Sequence, residues 1–130
     1  MSISTVGILK TENKPDFFEC VTNITSALIK HYENTWHRPN VNVSMYPSDK
    51  PISRHFTVSF FDQGTPRNML VSYDCDNDYN DNPELKGNKL IFSIGCWGNS
   101  IEIIESILKE FSEECFIIEN DCDDNSIRKI

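Results

Sequence analysis

The sequence predicts an α+β fold, with a mixed or antiparallel sheet of about five to six strands and two long helices packed on it. Three observations predict it. Apolar residues recur at helical spacing in two stretches, residues 17–32 and 101–111. Shorter runs around them alternate apolar and polar residues, as half-buried strands do. Gly, Pro, Asn and Asp cluster between the runs, where turns are needed. The expected order is β-α-β-β-β-β-α-β, and sheet plus helices is the economical way to bury both kinds of apolar face.

Residues 3–9 read as the first strand, with Ile3, Val6 and Ile8 apolar. Pro15 suits a first helical position, and Asp16 and Glu19 put negative charge in the first turn. Phe17, Val21, Ile24, Leu28 and Tyr32 then trace one helical face, which should end near Asn34, before Pro39. Residues 41–46 form a second strand. In residues 55–62, Phe56, Val58 and Phe60 oppose His55, Thr57, Ser59 and Phe61. The turn formers of residues 62–67 join this run to an extended stretch over 68–73, as in a hairpin.

Residues 74–88 read as a polar loop. Leu90, Phe92, Ile94 and Cys96 alternate after it, and Ile91 makes the run apolar on both sides, which marks a central strand. Asn99 and Glu102 stand at capping-box spacing before the stripe Ile104, Ile107, Leu108 and Phe111. Residues 115–118 make a short last strand, and an acidic tail follows.

With 130 residues, the chain is expected to be one domain, residues 1–130. Its 38% hydrophobic and 11% aromatic content indicates a packed interior rather than disorder. No run approaches the roughly 20 apolar residues of a membrane span. The start of the chain lacks a basic stretch followed by a long apolar run, so a cytoplasmic location is expected. The cysteines (Cys20, Cys75, Cys96, Cys115, Cys122) are odd in number and lack a C-x-x-C pair. That argues against a disulfide framework or a zinc ribbon. Cys20, Cys96 and Cys115 sit in apolar runs, where a reduced thiol packs as a small hydrophobe.

Charge is the most informative feature. Residues 1–73 carry six acids and seven bases, whereas residues 74–130 carry fourteen acids and five bases. A negative half repels phosphates, so direct nucleic-acid binding is not expected, while encounter with a basic protein is favoured. The acids fall in two clusters: Asp74, Asp76, Asp78, Asp81 and Glu84 in the loop, and Glu119, Asp121, Asp123 and Asp124 in the tail. Either cluster serves a partner or solvation. Glu102, Glu105, Glu110, Glu113 and Glu114 add to the negative charge of the second helix region, with Lys109 as the nearby base. Trp97, between glycines at a strand end, caps the core or anchors an interface.

Other chemistries are poorly supported. The loop from Asp74 alternates oxygen-bearing side chains, but an EF-hand needs Gly sixth and Glu twelfth, where Tyr79 and Leu85 stand. His31, His37 and His55 form no motif with Cys or Asp. No glycine-rich phosphate loop is present. Catalytic residues, metal ligands, a cofactor and a small-molecule ligand are therefore not expected.

Gly95-Cys96-Trp97-Gly98-Asn99-Ser100, the helix Ile101–Phe111 and the ending Phe116-Ile117-Ile118-Glu119-Asn120-Asp121-Cys122-Asp123-Asp124 together resemble immunity proteins of bacterial contact-dependent growth inhibition and related polymorphic toxin systems. The resemblance implies a cytosolic, non-enzymatic protein that binds a cognate toxin domain one to one and occludes its active site. Toxins of such systems are commonly nucleases, including RNases that cut tRNA, with basic substrate surfaces. Carboxylates then stand where phosphates would. The alternative is a regulatory or adaptor domain with an unrelated basic partner, and after it a small enzyme or calcium-binding module.

Overall fold

Alternation along the chain becomes a sheet with two unlike faces. The computed structural model describes residues 4–12, 16–33, 42–45, 55–62, 64–75, 83–95, 99–111, 114–119 and 127–130. The strands are β1 (Ser4–Lys10), β2 (Asn42–Met45), β3 (His55–Asp62), β4 (Thr65–Cys75), β5 (Asn88–Gly95), β6 (Cys115–Ile118) and β7 (Ile127–Lys129). The helices are α1 (Phe17–His31) and α2 (Ser100–Leu108), and Pro83–Leu85 form a 3₁₀ turn. The strands make one sheet in the order β2-β3-β4-β5-β1-β6-β7, every neighbouring pair antiparallel. The α+β class and the element order agree with expectation up to β6, and β5 is the fourth of seven strands.

Strand β7 corrects the expected count. The end of the chain returns to pair with β6, Ile127 opposite Ile118 and Lys129 opposite Phe116. Three residues with one apolar side chain carry too little periodicity to be read as a strand, and pairing supplies what propensity does not.

The helices lie on one face, here the inner face. There Ile24, Leu28, Val58, Phe60, Met69, Phe92, Ile103, Ile104 and Ile107 share one buried cluster. Gly7 is part of that packing: a Cβ on it would stand 2.6 Å from Ile104 Cγ2 and 3.2 Å from Leu108 Cδ1. Glycine thus sets how closely α2 approaches β1. On the outer face, Val6, Ile8, Leu85, Ile91, Phe116 and Ile118 form a second, smaller cluster. Leu85 belongs to the 3₁₀ turn, so that turn folds back over the β5–β1–β6 half of the outer face.

Helix α1 begins at Phe17, two residues later than expected. Asp16 is its N-cap, its carboxylate accepting from the Phe18 amide at 2.8 Å, and Glu19 remains in the first turn. Lys30 and His31 occupy the last turn, where cations complement the carbonyl end, and the helix closes at Tyr32, short of Asn34. The buried face is Cys20, Ile24, Ala27, Leu28 and Tyr32, with Val21 at its margin.

The capping box expected at α2 does not form. Asn99 makes no side-chain cap bond, and its amide instead points Nδ2 at Asp62 Oδ1, 3.4 Å away. The β3–β4 hairpin is also tighter than expected. Asp62 pairs with Thr65 and leaves a two-residue connection, with Gly64 at φ +82°. Strand β4 therefore starts at Thr65 rather than Asn68. Pro66 fits because β5 pairs with β4 only from Met69 onward, so Pro66 has a strand on one side alone.

Candidate partner-binding surfaces

The fold neutralises part of the acidic half. Arg128 of β7 reaches Glu105 of α2 and donates through Nε to Glu119 Oε1 at 3.1 Å. Lys129 pairs with Glu114 at 2.8 Å, and Lys30 of α1 with Glu110 at 3.0 Å. The Lys129 ammonium holds the Glu114 carboxyl below its ordinary value, chiefly through their hydrogen bond, and Lys129 is raised in return. Of the α2-region acids, Glu105, Glu110 and Glu114 thus have cations from α1 and β7, which sequence reading, seeing Lys109 alone, did not anticipate.

Of the ten residues singled out from sequence, the structure describes two completely. Glu84 is exposed on the 3₁₀ turn. Glu119 follows β6, half-buried, with its carboxylate on Arg128 and its carbonyl accepting from Thr5 Oγ1 at 3.3 Å. Asp74 is placed by its backbone, opposite Lys89 in the β4–β5 ladder. Asp76, Asp78, Asp81, Trp97, Asp121, Asp123 and Asp124 lie outside the described residues.

The strand register nevertheless fixes where each segment joins the fold. Cys75 pairs with Asn88, so segment 76–82 leaves at the Asn88 end of β5. Gly95 pairs with Ser4, while Ile118 pairs with Val6 and Ile127, so segments 96–98 and 120–126 join at the opposite end. Eight residues of β5 separate the two ends, about 23 Å at strand rise. Gly95 and Ile118, from which the two segments leave, therefore lie at one end of the sheet, with β1 between their strands. The loop 74–84 starts from the other end.

At the Gly95 end the sheet holds a buried polar cluster that sequence reading missed. Arg67 and Asp62, both on the inner face, are 3% and 7% exposed. Arg67 Nη1 stands 3.5 Å from Asp62 Oδ2, and its Nη2 donates to the Ser100 hydroxyl and, at 3.1 Å, to the Gly95 carbonyl. Tyr32 donates to Asp62 Oδ1 at 2.8 Å. Burial lowers the Arg67 pKa, opposed by the neighbouring Asp62 charge. Burial foremost, then the bond to Asp62, raises the Tyr32 phenol. The cluster ties the end of α1, the β3–β4 hairpin, the end of β5 and the start of α2 into one joint. Its sequence signal was faint: Asp62 and Arg67 stood inside a segment read as a turn. Their separation of five residues becomes adjacency only through the tight hairpin.

The outer face differs between its halves. Over β5–β1–β6 it carries the cluster around Leu85 and the buried Lys89, whose amine donates to the Gly87 carbonyl at 2.9 Å. Over β3–β4 it is open. Phe61 and Leu70 are 41% and 39% exposed, among Thr57, Ser59, Pro66, Asn68 and Ser72.

Cys20 and Cys115 are free and buried, as expected of packed thiols, while Cys96 lies outside the described residues. Burial, then the Glu19 charge, pushes the Cys20 thiol up to about 12. Among the described residues, no group of three His, Cys, Asp or Glu side chains is placed to hold a metal, and no helix is long and apolar enough to cross a membrane. Comparison with protein-family models, curated proteins and solved structures gives no match, so the functional reading stands on the residues and geometry above.

Proposed function

We propose that the chain is an immunity protein: it binds a cognate toxin domain one to one and covers that toxin's active site. The toxin is basic, and a nuclease is the class that an acidic inhibitor suits best. The observation that carries the reading is the charge segregation, nine more acids than bases in residues 74–130 against one more base than acids before them. Internal pairing sharpens it. With Glu105, Glu110, Glu114 and Glu119 occupied by cations of the same chain, the acids left for a partner are concentrated in segments 74–84 and 121–124.

A field of that sign accelerates encounter with a basic surface and fades with salt. The test uses the purified product of the reading frame immediately upstream of this chain's own. Association is followed by stopped flow across ionic strength, and protection by growth of cells making that product. In the variant D121K/D123K/D124K, association at low salt should slow at least about tenfold and lose much of its salt dependence. The same reversal at Asp76, Asp78 and Asp81 reports on the other end of the sheet. Retention of parental association and protection by both variants, or an upstream product that neither binds nor harms, would defeat the reading.

A further inference from the structure

We infer that the open half of the sheet's outer face, around Leu70 and Phe61, is where the basic partner seats. This rests on the function proposed above and gives that function a location. Strand alternation points Thr57, Ser59 and Phe61 of β3, and Pro66, Asn68, Leu70 and Ser72 of β4, away from the helices. None of these side chains is charged, in a chain that is 25% charged. The contrast with the helical side is sharp, where Asp16, Glu19, Glu33, Glu102 and Lys109 are exposed. Depletion of charge around an exposed aromatic and an exposed aliphatic side chain is the composition of an interface centre rather than of ordinary solvated surface.

The polar members suit the role. Ser59 already donates to Asn68 Oδ1 at 2.7 Å, which holds the amide across the strand pair, and the hydroxyls of Thr57 and Ser72 both give and accept. At strand spacing and rise the patch measures about 10 Å by 20 Å, on the order of 200 Å². That is the centre of a standard interface of roughly 800 Å² per partner, so flanking segments must supply the rest.

The flank identifies the occupant. Strand β4 runs from this patch directly into segment 74–84, which carries five acids and no base, and the chain returns at Leu85, packed on the same face. A second copy would bring another net charge of −8 against that flank. A partner with an apolar centre and Lys or Arg at its margin meets both parts.

The experiment measures affinity and dissociation for the same upstream product with L70R and L70E, beside sedimentation velocity of the chain alone. Leu70 faces outward, so both variants should melt within a few degrees of the parent. F61S, about 13 Å along the strand pair, serves as a second probe of the patch. Both Leu70 variants should weaken binding at least about 30-fold, through faster dissociation. Weaker binding by L70R with tighter binding by L70E would overturn the inference, since that pattern means a distant field rather than contact. So would parental affinity in both, or a dimer of the parent that both dissolve. Parental affinity in both variants removes this inference alone, whereas failure of the parent to bind removes the proposed function with it.

Discussion

The inner and outer faces of this sheet solve the same problem in different ways. The inner face is closed by two helices, and the polar groups buried beneath them are linked to one another. Tyr32 donates to Asp62, Arg67 donates to Ser100, and the Arg67–Asp62 ion pair joins the two in a site almost without solvent. The outer face is closed over one half by Leu85 and its neighbours, and the described side chains of the other half are uncharged and more open. Part of the charge on the helical side is spent within the molecule, Lys30 on Glu110 and Arg128 on Glu105. The difference teaches that where acids occur in a sequence and where they are available are separate questions. Tertiary pairing answers the second.

The largest expected effect breaks the inner joint. Asp62→Ala leaves the Arg67 guanidinium buried without its carboxylate and removes the Tyr32 acceptor. Removing one partner of a buried pair costs about 3–5 kcal/mol, whereas replacing both by apolar residues is often neutral. Urea unfolding should show that loss for Asp62→Ala and recovery of much of it in D62L/R67M. A loss below about 1 kcal/mol for the single variant would mean that water reaches the joint and the two faces differ less than described.

That joint also marks the limit of what the sequence discloses. The strand Leu90–Ile94 and the helix stripes were legible because their periods are long and their residues strongly apolar. The alternation of Phe56, Val58 and Phe60 against Thr57, Ser59 and Phe61 even separated buried from outward positions correctly. Local chemistry misled at Asn99, whose capping spacing lost to a contact with Asp62, distant in sequence. It misled again at the chain end, where Arg128 and Lys129 read as tail but form a strand. The acidic clusters were plain as composition. Their attachment at opposite ends of the sheet depends on strand register, which no local pattern encodes.

A smaller effect tests how tightly the inner face is packed. Gly7→Val would force a side chain into Ile104 and Leu108, both buried, and overpacking of this kind costs about 1–3 kcal/mol. Leu70→Ser, on the open outer face, should fall within about 0.5 kcal/mol of the parent. Thermal unfolding of the two variants side by side measures the contrast directly. Equal losses would mean that the outer half-face is covered.

Buried Cys20 sharpens the same comparison through pH. Its folded thiol titrates near 12 against an ordinary 9.0, so the folded chain keeps a proton that the unfolded chain loses. Stability from this group is intact below pH 9 and declines as pH climbs toward 12, by up to about 1.4 kcal/mol per pH unit in that window. Urea midpoints at pH 8 and pH 10 should therefore diverge less in Cys20→Ala than in the parent. Alkylation at pH 8, mapped by mass spectrometry, should reach Cys20 only after denaturant is added.

The smallest effect belongs to the exposed pair at the sheet edge, and its sign follows from the depressed Glu114 pKa. Lys129 holds that carboxylate ionised, so its contribution is present above the ordinary value of 4.5 and fades as pH falls through the lower, folded value. Lys129→Gln should lower the melting temperature slightly at pH 7 and not at all near pH 2. Molar salt should erase most of the difference at pH 7, because both side chains stand in water. A loss that survives high salt would place this edge with the buried joint rather than with the surface, and would show that β7 is held by more than its charges.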